Sequence, residues 1–190
     1  MATTHCIGLV LAGGRSSRMG QNKAYLQRQD QSMLEYASAQ LSACDVDEVV
    51  VSGSNSGGIA DIVDDGGPLA GIHAALSQLD TQALLVLPVD MPLMTKQQLS
   101  LLKQAGETNA TAQYFNQVSL PAYIPVTDQL TNFLENAFSS QHFIDSGRGP
   151  SLRQLFKVIN AQSIDLDCTQ ALINTNTPEQ WQQSQQLIKP

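Results

Sequence analysis

The stretch Leu11-Ala-Gly-Gly-Arg-Ser-Ser-Arg-Met-Gly-Gln-Asn-Lys23 decides the fold class of this chain. It continues the apolar run Ile7–Leu11, and an apolar run that ends at a glycine pair predicts a buried strand feeding a tight loop. Because Gly13 and Gly14 lack a Cβ atom, their backbone N–H groups can approach a polyphosphate closely. The stretch therefore predicts a phosphate-binding loop at the end of the first strand of an α/β domain.

This loop differs from two well-known phosphate-binding loops. A Walker A loop has four residues between its glycines and a lysine directly after the second. Here five residues separate Gly14 from Gly20, and Lys23 comes three positions later. The pattern G-x-G-x-x-G is not met either. Arg15, Arg18 and Lys23 can neutralise a leaving pyrophosphate, whereas the alternative interpretation is a tight turn that happens to be basic.

The rest of the first hundred residues alternates strand and helix patterns. Glu48–Ser52 reads as a strand and Ala83–Val89 as a buried strand, Ser32 opens a helix with a capping box, and Pro68 opens another. Such alternation predicts a mostly parallel sheet with helices on both faces.

The later part of the chain is less regular. The sequence predicts an antiparallel strand pair over Ala112–Phe115 and Leu120–Val126, followed by helices over Leu130–Phe138, over Ser151–Phe156 and after Thr177. Neither an internal repeat nor a linker is found, so the 190 residues are predicted to form one domain.

Composition excludes several classes of function. The chain carries 10 basic and 17 acidic residues, a net charge of −7, so we expect no binding to nucleic acid or to an anionic membrane. Three cysteines without a C-x-x-C pair indicate structural thiols in a reducing compartment. The three histidines show no zinc-ligand spacing. Without a signal peptide or a membrane span, we expect a cytoplasmic protein.

The second chemical motif is Leu85-Val-Leu-Pro-Val-Asp-Met-Pro92. Open α/β sheets bind ligands at the carboxyl ends of their strands, which is where Asp90 falls. Mg²⁺ takes one or two carboxylates and leaves its other positions to waters and substrate phosphates. We therefore expect Asp90 to hold Mg²⁺, although a strand-end aspartate can also be only a turn residue.

A third motif, Asp64-Asp-Gly-Gly-Pro-Leu-Ala-Gly71, opens a helix with a small-residue turn. A helix amino terminus favours anionic groups, and a carboxylate beside it could accept hydrogen bonds from a nucleobase. From the residues alone, a solvated turn is as good an interpretation of this motif as a nucleobase contact. Arg148, Arg153 and Lys157 form a second basic cluster near the end of the chain, where either an anionic ligand or solvent could face them.

Taken together, L-A-G-G-R-S-S-R-M-G-x-x-K, G-P-L-A-G, P-V-D-M-P and Ile173-Asn-Thr-Asn-Thr-Pro178 closely resemble the molybdenum cofactor guanylyltransferase family over nearly the whole chain. The resemblance implies a Rossmann-like nucleotidyltransferase fold. It also implies that GMP is moved from GTP, with Mg²⁺, to the terminal phosphate of molybdopterin, and that pyrophosphate is released. Within the single domain, we expect a nucleotide-binding part over about 1–105 and an acceptor-binding part over about 106–190. Transient contacts with cofactor-biosynthesis proteins and recipient apo-enzymes would be expected of such a protein.

The resemblance carries residue roles onto this chain. Lys23, Arg18 and Asp90 would serve catalysis, and Asp90 would also be the metal ligand. The nucleotide-binding positions that the resemblance assigns are Leu11, Ala12, Gly13, Lys23, Asp65 and Asp90, and we expect Gly14 and Ser52 to join them. Acceptor contacts are expected, from the local basic cluster and not from the resemblance, at Arg148 and Arg153, and also at Asn174 and Asn176.

Three positions depart from the family pattern. The residue before Lys23 is Asn22 instead of the usual aspartate, Ser52 stands where asparagine is frequent, and Leu120-Pro121 replaces a frequent His-Pro. The change at Ser52 bears on GTP preference, so a cytidylyltransferase is the alternative enzyme. A nucleotide sensor without turnover and a protein-interaction module are the alternatives from other classes.

Overall fold

The computed structural model describes residues 4–13, 22–61, 63, 66–116, 118–139 and 149–188. The strands are β1 (Cys6–Leu11), β2 (Gln27–Arg28), β3 (Gln31–Ser32), β4 (Glu48–Ser52), β5 (Ala83–Pro88), β6 (Gln113–Phe115), β7 (Val118–Pro125) and β8 (Gln162–Ile164). The α-helices are α1 (Met33–Ser42), α2 (Gly67–Leu76), α3 (Lys96–Asn109), α4 (Asp128–Ser139), α5 (Leu152–Val158) and α6 (Pro178–Leu187). None of these helices combines the length and apolar composition needed to cross a membrane.

Six strands form one sheet in the order β4-β1-β5-β7-β6-β8. β1 pairs in parallel with both β4 and β5, and β6 pairs in parallel with β8. Only β7 runs in the opposite direction, since it pairs antiparallel with β5 and with β6. The predicted mostly parallel sheet is therefore confirmed, with β7 as the strand that reverses direction.

The sheet separates two apolar layers. Along β1, Cys6 and Val10 face the layer that α1 and α3 cover, whereas Ile7 and Leu9 face the layer under α2, α4 and α5. These four side chains are at most 1% exposed, as expected for a central parallel strand buried on both faces. Helices on both faces are therefore confirmed.

Helix starts were predicted well because they depend on local chemistry. Ser32, Thr95, Ser151 and Thr177 each form a capping box with the residue three positions later. Short elements were missed: the β2–β3 ribbon and β8 have only two or three residues each, too few to show a hydrophobic period.

The cysteines divide into two environments. Cys6 and Cys44 are buried, and burial raises the pKa of the Cys6 thiol to about 12. Burial also raises the pKa of Cys44. Both thiols are therefore protonated members of the core, as predicted. Cys168 differs from the prediction of three structural thiols because it is exposed.

Gly106 allows α3 to pack directly on β7. A Cβ atom at this position would lie 1.9 Å from Cδ1 of Tyr123, whose side chain is 2% exposed. A buried aromatic ring held between a helix and a sheet cannot move aside without disturbing its other contacts.

We expect Gly106→Ala to destabilise the protein by about 1–3 kcal/mol, because overpacking outweighs the helix propensity that alanine adds. Urea denaturation would measure this change. In a Tyr123→Ala background the ring is absent, so the same glycine substitution should be neutral or stabilising. An equal loss in both backgrounds would contradict the packing explanation.

Candidate nucleotidyltransferase active site

Three parallel strands end in line at one edge of the sheet. Leu11 pairs with Ser52 on one side and with Pro88 on the other. The ladder continues past the strands, since Ala12 N donates to Ser52 O at 2.9 Å and Val89 N donates to Leu11 O at 3.0 Å. The residues that follow β1, β4 and β5 therefore come together at the carboxyl edge, as the sequence predicted.

Gly53 lets two of these strand ends approach closely. It has a φ of +125°, and a Cβ atom there would lie 2.7 Å from Gly13 N. A side chain at this position would push the start of the glycine loop away from the turn after β4. The backbone at Gly13 thus lies directly against that turn.

The centre of the site is a contact between Lys23 and Asp90. Lys23 Nζ donates to Asp90 Oδ2 at 2.8 Å and to Asn176 Oδ1 at 2.6 Å. The side chains of Lys23 and Asp90 are 16% and 15% exposed. The contact therefore joins the segment after the glycine loop, the end of β5 and the segment before α6 in a partly buried cluster.

The segment before α6 also fixes Asp90 itself. Thr175, which is 1% exposed, donates to Asp90 O from its N at 2.9 Å and from its Oγ1 at 3.1 Å. In the amide orientation that satisfies both groups, Asn174 donates its side-chain nitrogen to Asp90 Oδ2 at 2.9 Å and also contacts Oδ1. Both the backbone and the carboxylate of Asp90 are thereby held in place.

Lys23 is positioned by a short 3₁₀ helix, Lys23–Tyr25. Asn22 Oδ1 caps this helix by accepting from Ala24 N at 3.0 Å, and Tyr25 OH donates to Asn55 O at 3.1 Å. Asparagine caps helices about as well as aspartate. The departure at Asn22 therefore preserves the local structure that presents Lys23.

Ser52 and Asp61 form a second polar pair at the same edge. Ser52 Oγ donates to Asp61 Oδ1 at 3.0 Å, and Ser52 is 1% exposed. Asp61 also lies beside the glycine loop, because a Cβ atom on Gly13 would be 3.2 Å from Asp61 Oδ2. The sequence analysis missed Asp61, whose only signal was an acidic residue after the glycine-rich turn that follows β4.

Arg28 lies close in sequence to Arg15, Arg18 and Lys23, but its side chain is not part of the cluster around Asp90. Its Nε donates to Pro92 O at 2.8 Å, and its guanidinium carbon lies 3.7 Å from the centre of the Tyr36 ring. These contacts support the loop that follows Asp90. Arg28 thus supports the loop after Asp90, and with its guanidinium engaged in these contacts it is not a candidate for binding phosphate.

Comparison with known proteins identifies the family. A model of the MobA-like NTP transferase domain matches residues 8–141, a range that includes most of β1, Lys23 and Asp90. The chain belongs to this family. It is accordingly a nucleotidyltransferase, and the cluster at the carboxyl edge is its candidate active site.

Individual relatives agree with this assignment. A protein of Xanthomonas euvesicatoria pv. vesicatoria named molybdenum cofactor guanylyltransferase is 36% identical over 183 residues, which cover 92% of this chain and 91% of the relative. A solved structure of molybdopterin-guanine dinucleotide biosynthesis protein A from Archaeoglobus fulgidus has a TM-score of 0.73 at 21% identity and covers 95% of this chain and 97% of its own. A nucleotidyl transferase from Methanothermobacter has a TM-score of 0.70 at 15% identity, with 96% of each chain covered. The predicted nucleotidyltransferase fold is confirmed.

The structure brings some of the predicted site residues together. Lys23, Asp90, Asn174 and Asn176 form one cluster, although the sequence analysis had assigned the two asparagines to the acceptor. Leu11 and Ala12 have buried side chains and offer only backbone groups at the edge. The predicted residues that lie outside the described part of the chain are Gly14, Arg18, Asp65 and Arg148.

Arg153 does not join the cluster around Asp90. It lies on α5 beside a cavity whose walls include β6 and the start of β7. The segment before α6 belongs to the predicted acceptor-binding part, yet it completes the cluster at the ends of β1 and β5. This cluster therefore contains residues from both predicted parts of the chain.

We expect Asp90→Asn to keep the fold and to lower turnover by roughly 10²-fold or more, because one preorganised electrostatic contact in a catalytic site is commonly worth that much. Initial rates across a Mg²⁺ titration, together with a thermal unfolding scan, would measure both effects. Asp80→Asn, which changes an exposed carboxylate, serves as the matched control. Near-normal turnover at low Mg²⁺ would remove Asp90 from the active site.

Proposed function

We propose that this protein transfers GMP from GTP to the terminal phosphate of molybdopterin, forming molybdopterin guanine dinucleotide and releasing pyrophosphate in the cytoplasm. The observation that carries the proposal is the cluster of Lys23, Asp90 and Asn176 at the carboxyl edge of β1 and β5. Its support is the relative named molybdenum cofactor guanylyltransferase, which is 36% identical and matches 92% of the chain.

Positioning and charge neutralisation supply the catalysis in this proposal. The nucleophile is a phosphate with a second pKa of about 6, so it is already ionised at neutral pH and needs no general base. Its oxygen attacks the α-phosphorus of GTP, and the bond from that phosphorus to the bridging oxygen of pyrophosphate breaks. Lys23 and, in the loop, Arg18 stabilise the charge that develops on pyrophosphate.

The residues at Asp90 fit a divalent cation. The Asp90 carboxylate and the Asn176 amide oxygen are hard oxygen donors, and both already accept from the Lys23 ammonium at 2.8 and 2.6 Å. Asp90 is the residue that would hold Mg²⁺, and the metal, when bound, would neutralise charge on the phosphates. In the nucleotide-bound enzyme, Lys23 is then available to contact the phosphates instead of Asp90.

Base recognition is proposed for Asp65 and for the pair of Ser52 and Asp61 beside Gly13. Asp65 is the residue that the family resemblance assigns to guanine. Ser52, the other proposed base contact, is buried and acts through its hydrogen bond to Asp61, whose carboxylate lies beside Gly13. A carboxylate in this position can accept hydrogen bonds from the guanine N1–H and 2-amino groups, which CTP cannot offer in the same arrangement.

A direct assay tests the reaction. Purified protein would be incubated with molybdopterin, Mg²⁺ and one of GTP, CTP, ATP or UTP, and both the dinucleotide and pyrophosphate would be quantified. We expect product with GTP at a kcat/KM at least tenfold above that with CTP. A preference for CTP would make the protein a cytidylyltransferase. Nucleotide binding without pyrophosphate release would indicate a sensor, and the absence of nucleotide binding would indicate an interaction module.

We expect Lys23→Ala to lower kcat/KM by roughly 10²–10³-fold, since it removes a preorganised cation from the leaving group. Lys96→Ala, which removes an exposed cation at the start of α3, is the charge-matched control. Steady-state kinetics with GTP and molybdopterin would provide both values. A change of less than about threefold in Lys23→Ala would show that its contact with Asp90 is only structural.

A further inference from the structure

A cavity of about 390 Å³ lies beside α5, on the face of the sheet that α2, α4 and α5 cover. This volume falls in the range of small-molecule sites. The residues that line it are Tyr114, Ser119, Arg153, Phe156, Lys157 and Ala161. Two cations and two aromatic rings therefore share one concave surface outside the cluster around Asp90.

The two cations have no partner in the described part of the chain. Neither the Arg153 guanidinium nor the Lys157 ammonium forms an ion pair or a hydrogen bond with a described residue, although the chain has 17 acidic residues to 10 basic ones. They lie four positions apart on α5, where like charges face each other and destabilise a helix. Arg153 also falls in the first turn, where the helix dipole disfavours a cation. An anion bound in the cavity would relieve both effects.

The aromatic wall adds a second recognition element. The Tyr114 and Phe156 rings stack with their centroids 5.0 Å apart and an interplanar angle of 27°. Phe156 is 5% exposed and anchors the wall, while Tyr114 is half-buried beside the cavity. A flat ring can pack against such a wall while its anionic groups meet the cations.

The sheet places this cavity within reach of the active site. β5 and β6 run in the same direction and are separated only by β7, so their ends lie about 10 Å apart along the edge that carries Asp90. Tyr114 is next to the last residue of β6, and Ser119 is the second residue of β7. Ser119 therefore lies at that edge, whereas Tyr114, which is level with Val86 through Ala122, lies farther back along the sheet, so the cavity extends inward from the edge at Ser119.

From this geometry we infer that the cavity binds the ring portion of the phosphorylated acceptor, with Arg153 and Lys157 holding its anionic groups. The inference rests on the proposed function and deepens it. Molybdopterin combines a flat pterin with anionic groups and a terminal phosphate. With its ring in the cavity, the phosphate can extend along the sheet edge towards the nucleotide at Asp90. Arg153 and Lys157 are thus acceptor-binding residues that do not contact the nucleotide.

The test separates acceptor binding from nucleotide binding. Calorimetry would measure molybdopterin affinity with the nucleotide site saturated by guanosine 5′-[α,β-methylene]triphosphate and Mg²⁺, and separately the affinity for this analogue alone. The variants are Arg153→Gln, Lys157→Gln and the double variant, with Lys96→Gln as the charge-matched control. All three positions are exposed, so thermal unfolding midpoints should stay near the wild-type value.

We expect each single cavity variant to weaken molybdopterin binding about tenfold and the double variant to weaken it further, with analogue affinity unchanged within twofold. The wild-type affinity should also fall at high salt, where screening weakens charge pairing. Unchanged acceptor affinity in the double variant would overturn the inference, as would a parallel loss of analogue affinity. If the wild-type protein transfers GMP and the variants bind molybdopterin as tightly as it does, only this inference fails and the proposed function stands. If wild-type protein neither binds nor modifies molybdopterin, the proposed function fails with it.

Discussion

The contact between Lys23 and Asp90 is the interaction on which the candidate active site depends. Its partners are 67 residues apart, and Asn176, which shares Lys23, is 153 residues away from it. A partly buried carboxylate that lost its cation would keep the cost of desolvation and lose the charge that offsets most of it. The contact therefore couples the 3₁₀ helix that begins at Lys23 to the end of β5 and to the segment before α6.

The second constraint is the close approach of the strand ends. Because β1, β4 and β5 are parallel and in register, the turns that follow them must share one edge. Gly53 permits this crowding, and Ser52 and Asp61 fill the space beside Gly13 with a hydrogen-bonded pair. Backbone and side-chain groups at this edge are thus positioned before any ligand arrives, which lowers the cost of ordering them on binding.

The distribution of cations explains how an acidic protein can bind anionic substrates. The net charge of −7 repels phosphates at long range, but screening limits that repulsion to about a Debye length of 8–10 Å. Within that distance, local cations dominate. Lys23 supplies positive charge at the sheet edge, and Arg153 and Lys157 supply it beside the cavity. In the proposed reaction these two places serve the two substrates.

The sequence by itself determined the features that depend on neighbouring residues. Apolar runs predicted β1, β4 and β5, capping boxes predicted helix starts, and the stretch from Leu11 to Lys23 predicted a phosphate-binding loop. It also placed Asp90 at the carboxyl end of its strand, since strand direction follows from the alternation with helices. These features need no knowledge of which distant segments meet.

Only the tertiary structure decided which distant groups share a site. Asn174 and Asn176 contact Asp90 and Lys23 because the segment before α6 folds back over the ends of β1 and β5, and no periodicity in the sequence encodes that contact. For the same reason, the sequence could not predict that Ser52 pairs with Asp61 or that Arg28 lies outside the site. Arg153 and Lys157 could be seen as a cluster, but the cavity that makes them a candidate site exists only where α5 packs against β6 and β7. Side-chain partners across a sheet edge are set by packing of whole elements, which local sequence patterns do not specify.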